Sequence, residues 1–170
     1  MVIMMKANKI IKQIVINALF IALTAILTIF ISIPIGNQGG YFNVGDTIIV
    51  VASLLFGPIP GAIIGGVGSM IADLFVAPSY AIFTLIIKSL EGFLIGFLYK
   101  KARLNYILAS LIGLVSIVIN YYFVGVLFYE SFVLPFIDTF YNFIQITISF
   151  VLSIVLFKII NNIKIIKNNI

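Results

Sequence analysis

Cysteine, histidine and tryptophan are all absent from these 170 residues. Without cysteine there is no disulfide and no thiolate chemistry, and without histidine the commonest metal ligand and proton shuttle are missing. Charge is scarce as well: Asp, Glu, Lys and Arg make up 9% of the chain, with only five acidic residues. A soluble domain carries roughly a quarter charged residues. Catalytic signatures are equally thin. No G-x-x-x-x-G-K-[ST] run is present, which excludes P-loop use of ATP by this chain. There is no H-E-x-x-H, no G-x-S-x-G and no aspartate-rich pair suited to diphosphate–Mg²⁺ chemistry. Nothing in the residues supports an enzyme, a metal site or a cofactor held by this chain.

What the chain has in abundance is apolar surface. Hydrophobic residues reach 63% and the mean hydropathy is +1.29. A core built from a chain of this length cannot hide that much, so the fold class is an all-α integral membrane protein. At roughly 20 residues per spanning helix the length allows about six or seven crossings, in one transmembrane domain over 1–170. Gly, Pro, Asn and charge clusters divide the chain into six apolar segments at 14–33, 46–56, 60–75, 81–99, 106–128 and 136–160. The first is too long for a cleavable signal core and has no small-x-small site after it, so it is expected to stay as a helix. The second is short, because eleven residues rise only about 16 Å against about 30 Å of hydrocarbon. It either tilts and continues through the turn at Gly57-Pro58 or pairs with the third segment as a re-entrant hairpin.

The few charges are sorted by position. Lys6, Lys9 and Lys12 precede the first segment, Lys100, Lys101 and Arg103 follow the fourth, and Lys158, Lys164 and Lys167 close the sixth. With six crossings all nine fall on one side, which the positive-inside rule makes cytoplasmic together with both termini. The basic pI of about 9.5 then reflects topology and attraction to anionic lipid rather than a nucleic-acid partner. The outer connections are 34–45, 76–80 and 129–135. In the first of these Asn37, Gln38, Gly39 and Gly40 suit a loop able to fold over a pocket. No internal repeat stands out, which disfavours an inverted-repeat carrier.

Against this background the polar residues within the apolar segments are conspicuous. Lys88 and Glu91, three apart on one helix face, each cost about 2.5–3.5 kcal/mol at membrane depth when unpaired. They are expected to pair with each other, with Asp46 or Asp73, or with a ligand. A purely structural ion pair and a pocket role both stay open. Asn120, Tyr121, Tyr141 and Asn142, with Gln145 on the Asn142 face, offer amide hydrogen bonds and ring faces for a small planar heterocycle. Tyr121 and Tyr122 also fit an interfacial aromatic belt. Gly61, Gly65, Gly68 and Ala72 form a small-residue stripe that, with Gly92 and Gly96, fits close packing of the third and fourth helices. Ala18 and Ala22, four apart on the first helix, make a smooth face for internal packing or for a partner helix.

Several of these residues together carry a family likeness. The run Tyr41-Phe42-Asn43-Val44-Gly45-Asp46, then Leu55-Phe56-Gly57-Pro58, Gly65-Gly66, Gly68-Ser69, Ala72-Asp73 and Lys88-x-x-Glu91-Gly92, resembles substrate-binding S components of energy-coupling factor (ECF) vitamin transporters. The resemblance covers about 14–160 and is closest to the riboflavin-transporter-like branch that includes proposed hydroxymethylpyrimidine and pyridoxine carriers. It implies a six-helix, multi-pass protein of the bacterial plasma membrane that captures a small vitamin or precursor from outside and delivers it inward by toppling. A transmembrane T subunit docking on Ala18 and Ala22, and two cytoplasmic ATPases that use the ATP, are the implied partners. The implied pocket residues are Asn43, Asp46, Lys88, Glu91, Asn120 and Tyr121, with Asp73 structural. The missing tryptophan departs from the tryptophan-rich vitamin binders and favours a ring smaller than riboflavin or thiamine. A queuosine precursor or riboflavin as ligand, a self-sufficient secondary transporter or channel, and a membrane scaffold are the alternatives.

Overall fold

A computed structural model describes residues 2–35 and 40–163. Asn37, Gln38 and Gly39 of the expected lid, and Lys164 and Lys167 of the last basic cluster, lie outside them, as do the side chains of Lys6 and Lys9. The described chain is six α-helices, one short 3-10 turn and one small hairpin. The helices are α1 Val2–Phe30, α2 Asp46–Phe56, α3 Pro58–Val76, α4 Ala81–Lys100, α5 Tyr106–Tyr129 and α6 Pro135–Asn162. Among the described residues five stretches are long and apolar enough to cross a membrane, Ile10–Phe30, Pro58–Val76, Pro78–Lys100, Tyr106–Tyr129 and Pro135–Asn162. The protein is thus an all-α membrane protein, with α2 as the one shorter apolar helix among the described residues.

The helix boundaries follow from local chemistry. Proline at the first position opens α3 and α6, where the missing N–H would have had no helical partner. The Asn105 side chain caps α5 by accepting from the Ile107 amide at 2.9 Å. Gly57, at φ +93°, makes the turn between α2 and α3 that few other residues tolerate. The first helix ends three residues earlier than the hydropathy run to 33 predicts. Pro34 pushes Ile33 into extended geometry, and the chain enters β1 (Ile33–Ile35) instead. An antiparallel partner, β2 (Gly40–Phe42), pairs with it in the register Ile33↔Phe42 and Pro34↔Tyr41. The expected outer loop is therefore a hairpin, with residues 36–39 between its strands.

Packing depends on glycine, but not as a single stripe. A Cβ on Gly61 would meet the Gly92 carbonyl at 2.7 Å, and one on Gly65 the Lys88 carbonyl at 2.5 Å. Gly96 meets Gly57 and Pro58 in the same way, so α3 and α4 touch backbone to backbone over several turns. Gly68 belongs to a different contact: its Cβ would strike Thr24 at 2.8 Å and the Ile21 carbonyl at 3.0 Å, both on α1. The expected continuous face toward α4 is thereby split, with its outer part given to α1. Gly65 and Gly68, three residues apart, differ by about 60° around the axis, enough for one to face α4 and the other α1.

The core runs along α2. Ile49, Val50, Ala52 and Leu54 are fully enclosed, and residues 46–55 of this helix are all buried. Its first residue, Asp46, pairs with Lys88 inside the bundle. Its last, Phe56, lines a cleft at one end of the bundle with Gly57, Lys12, Lys100 and Lys101. The basic starts and ends of α1 and α4 thus meet at one end, and the polar cavity described next lies toward the other.

Candidate functional site: a polar cavity beneath the hairpin

Every helix of the bundle except α2 contributes side chains to one partly open cavity of about 60 Å³, which the hairpin segment flanks through Tyr41 and Asn43. That is several times the ~10–15 Å³ needed to hold one water. Lys88 of α4 reaches its wall, held between two carboxylates. Its Nζ forms an ion pair with Asp46 Oδ1 and lies 3.5 Å from Glu91 Oε2. Lys88, Asp46 and Glu91 are 2%, 1% and 0% exposed. Charges this deep persist only in partnership, and here the partnership is continued by hydrogen bonds. Gln145 of α6 donates to Asp46 Oδ2 at 2.7 Å and accepts from the Asn43 backbone N–H at 3.0 Å. Asn43 Oδ1 in turn accepts from the Gly45 amide at 2.9 Å. A single polar chain therefore links the hairpin segment to α6, α2 and α4.

Gly45 packs closely on α1, since a Cβ there would meet the Thr28 hydroxyl and force it to turn aside. A second tether lies further out. The Tyr41 hydroxyl donates to Asp73 Oδ1 of α3. Burial, reinforced by the Asp73 carboxylate, holds the Tyr41 phenol far above its ordinary range, so it remains a donor at physiological pH. Aromatic rings supply the rest of the wall. The Tyr121 ring lies 5.6 Å beneath the Lys88 ammonium, and its hydroxyl meets Thr84 Oγ1 at 2.9 Å. Tyr80 lines the cavity and stacks on Phe128 with ring centroids 4.6 Å apart.

Of the residues expected to form a pocket, Asn43, Lys88, Tyr121 and Asn142 line the cavity. Asp46 and Glu91 stand behind Lys88 and position it. Two are placed elsewhere. Asn120 returns its Nδ2 to the Ser116 carbonyl of its own helix at 2.6 Å. Tyr141 is 40% exposed and packs against Phe140. Each sits one residue, about 100° of rotation, from a neighbour that does face the cavity. Asp73, expected to be structural, lines the cavity while anchoring Tyr41.

The sequence reasoning names Ser69 only within the family likeness and does not single out Thr28, Tyr80, Thr84 or Asp138 as pocket residues, yet all five line the cavity. Threonine and serine are too common in membrane helices to stand out. Asp138 is legible only as a helix-start acid until the fold turns it inward. Ala18 and Ala22 lie exposed on the outer face of α1, beside exposed Leu19 and Leu23, so internal packing does not use them. Among the described residues no three His, Cys, Asp or Glu side chains gather as a metal site would require.

A helical membrane bundle with an internal polar cavity, flanked by a tethered hairpin, is the architecture of a membrane protein that captures a small solute. The family follows from comparison with known proteins. A family model described as the ECF-type riboflavin transporter, S component, matches residues 8–162. The chain is 35% identical over 155 residues to the thiamine precursor transporter HmpT of Lactococcus lactis subsp. cremoris (strain MG1363), covering 90% of each protein. It is also 39% identical over 107 residues to an uncharacterized protein of Pyrococcus woesei encoded in a gap 3' region, covering 61% of this chain and 72% of that one. The chain belongs to the family of ECF-type riboflavin transporter S components. It is a multi-pass membrane protein and a transport subunit rather than an enzyme.

Proposed function

We propose that this S component captures a small pyrimidine- or pyridine-type vitamin precursor from outside the plasma membrane and delivers it inward. The observation that carries the reading is the cavity itself: small, walled by Tyr80 and Tyr121, lined by amide, hydroxyl and charged groups, and flanked by Tyr41 and Asn43. A planar ring with polar substituents fits such a lining. The thiamine-precursor specificity in the name of the Lactococcus relative supports a ligand of this size. Riboflavin, named in the description of the family model, is the second reading. The volume of the cavity and the absence of tryptophan stacking platforms weigh toward the smaller ring.

In this reading the chain makes six crossings with both termini in the cytoplasm. The short α2 completes its crossing with the turn and β2 strand before it: it starts beside Lys88 and ends at the basic cleft of Lys12, Lys100 and Lys101. Alignment of those lysines at one end supports a cytoplasmic assignment for it. A transmembrane T subunit docks on the exposed Ala18–Ala22 face, two ATPases supply the energy, and the S component topples to release its ligand. The chain itself needs no cofactor. Mass spectrometry of small molecules released from the purified, denatured protein tests the ligand class. A pyrimidine or pyridine at near-stoichiometric amount is expected, and a flavin recovered instead overturns the small-ring reading.

A further inference from the structure

A second cavity lies at the basic end of the bundle. It is a cleft of about 350 Å³, against about 60 Å³ for the polar cavity. Lys12 of α1 shares it with Lys100 and Lys101 at the end of α4 and with the Gly57-Pro58 turn between α2 and α3. A Cβ built on Gly57 would sit 3.7 Å from Lys100 Cγ, so the Lys100 stem lies along that turn. Gln13 and Asn17 add amide groups, while Phe56 and Pro60 add apolar surface. The lining includes no Asp or Glu, so the field within the cleft is positive. Two spans fix its depth in the membrane: one begins at Pro58, another ends at Lys100, and both residues line the cleft. Hydrocarbon gives way to headgroups at such a boundary. On the α3 side Ile59 is 66% exposed and Ile63 43%, so apolar surface continues from the cleft along the span.

The geometry points to a binding site for one anionic phospholipid, its phosphate held among Lys12, Lys100 and Lys101 and its acyl chains running along the exposed face of α3. Charge and depth both favour this occupant. A phosphate accepts from ammonium and amide donors, which are the polar groups the cleft presents. A soluble anion would use the lysines and leave the apolar wall, with the adjoining Ile59 and Ile63, without a partner. A zwitterionic lipid brings its own cation into a positive cleft, and like charges repel. Such a site differs from the diffuse attraction of a basic surface for anionic lipid. Arg103 follows α4, and Lys158 adjoins Phe157, which packs on Tyr99; both charges lie near this end without lining the cleft. The inference holds whichever solute the polar cavity takes.

Native mass spectrometry of the purified full chain, in detergent with an equimolar mixture of phosphatidylglycerol and phosphatidylcholine, tests this. One phosphatidylglycerol per chain is expected to be retained, with a preference of roughly tenfold or more over phosphatidylcholine. In Lys12→Gln/Lys101→Gln that preference is expected to fall to within about threefold. Arg103→Gln/Lys158→Gln, which removes the same charge outside the cleft, is expected to keep it. The readout is a ratio measured within one protein, so partial loss of folded material does not affect it. Equal retention of the two lipids by the unaltered chain, or an equal fall in both double variants, overturns the site. Displacement of the lipid by inorganic phosphate, at an ionic strength where chloride leaves it in place, overturns the lipid assignment in favour of a soluble anion.

Discussion

At the scale of single residues, the stability of the buried cluster depends on an imbalance of two carboxylates, Asp46 and Glu91, against the one ammonium of Lys88. Both Glu91 oxygens are sealed and lack a hydrogen bond, whereas Asp46 has Lys88 and Gln145. Removing Lys88 strands two acids in the core, and breaking a buried pair from one side costs about 3–5 kcal/mol. Lys88→Met is therefore expected to lower the detergent melting temperature sharply. Glu91→Gln is expected to leave it unchanged or higher, since the neutral amide removes the surplus charge. A larger loss for Glu91→Gln than for Lys88→Met, in the same melting experiment, would invert this assignment. Tyr41→Phe tests the outer tether. Loss of a hydrogen bond to a charged group costs about 1.5–3 kcal/mol, so ligand affinity is expected to drop by roughly ten- to a hundredfold with the fold intact. The Lys88–Asp46 and Lys88–Glu91 pairings were among those the sequence allowed. The start of α2 brings Asp46 to Lys88, while Lys88 also lines the cavity, so an ion pair and a pocket position coexist at this residue.

At the scale of elements, the bundle is organised by how closely its helices approach. The segments at 46–56, 60–75, 81–99, 106–128 and 136–160 were legible because hydropathy, glycine and proline mark them strongly, and each observed helix lies within two residues of them. The hairpin was not legible, since two strands of three residues leave no periodic signal. Helix rotation was the other loss. Neighbouring polar residues such as Asn120 and Tyr121 both read as pocket residues, and only packing separates them. Glycine contacts give the test for this scale. Gly92→Val places a branched side chain on the Gly61 backbone and is expected to destabilise by several kcal/mol, at or beyond the ~1–3 kcal/mol of ordinary overpacking. Gly68→Val is expected to disturb α1 instead, which disulfide crosslinking between α1 and α3 cysteine pairs would detect as a lost crosslink. On the outer face, Ala22→Trp is expected to block co-purification with the T subunit while ligand binding persists. Unaltered co-purification would remove Ala22 from the docking face.

At the scale of the whole molecule, the charge map and the fold make the same division. One end holds the basic cleft of Lys12, Lys100 and Lys101, and the cavity lies toward the other with its flanking hairpin. The cysteine-free sequence makes topology directly measurable. Lys101→Cys is expected to react with a membrane-impermeant thiol reagent only after the cells are opened, and Ser131→Cys in intact cells. Transport adds the decisive step, because in the proposed function the cavity supplies capture, and no P-loop in this chain supplies energy. The most direct measurement is uptake of a radiolabelled thiamine-precursor pyrimidine by cells expressing this chain, with and without its T subunit and ATPases. Accumulation is expected only with the full set and only while ATP is hydrolysed. Undiminished accumulation by the chain alone would contradict the reading of an energy-coupled S component.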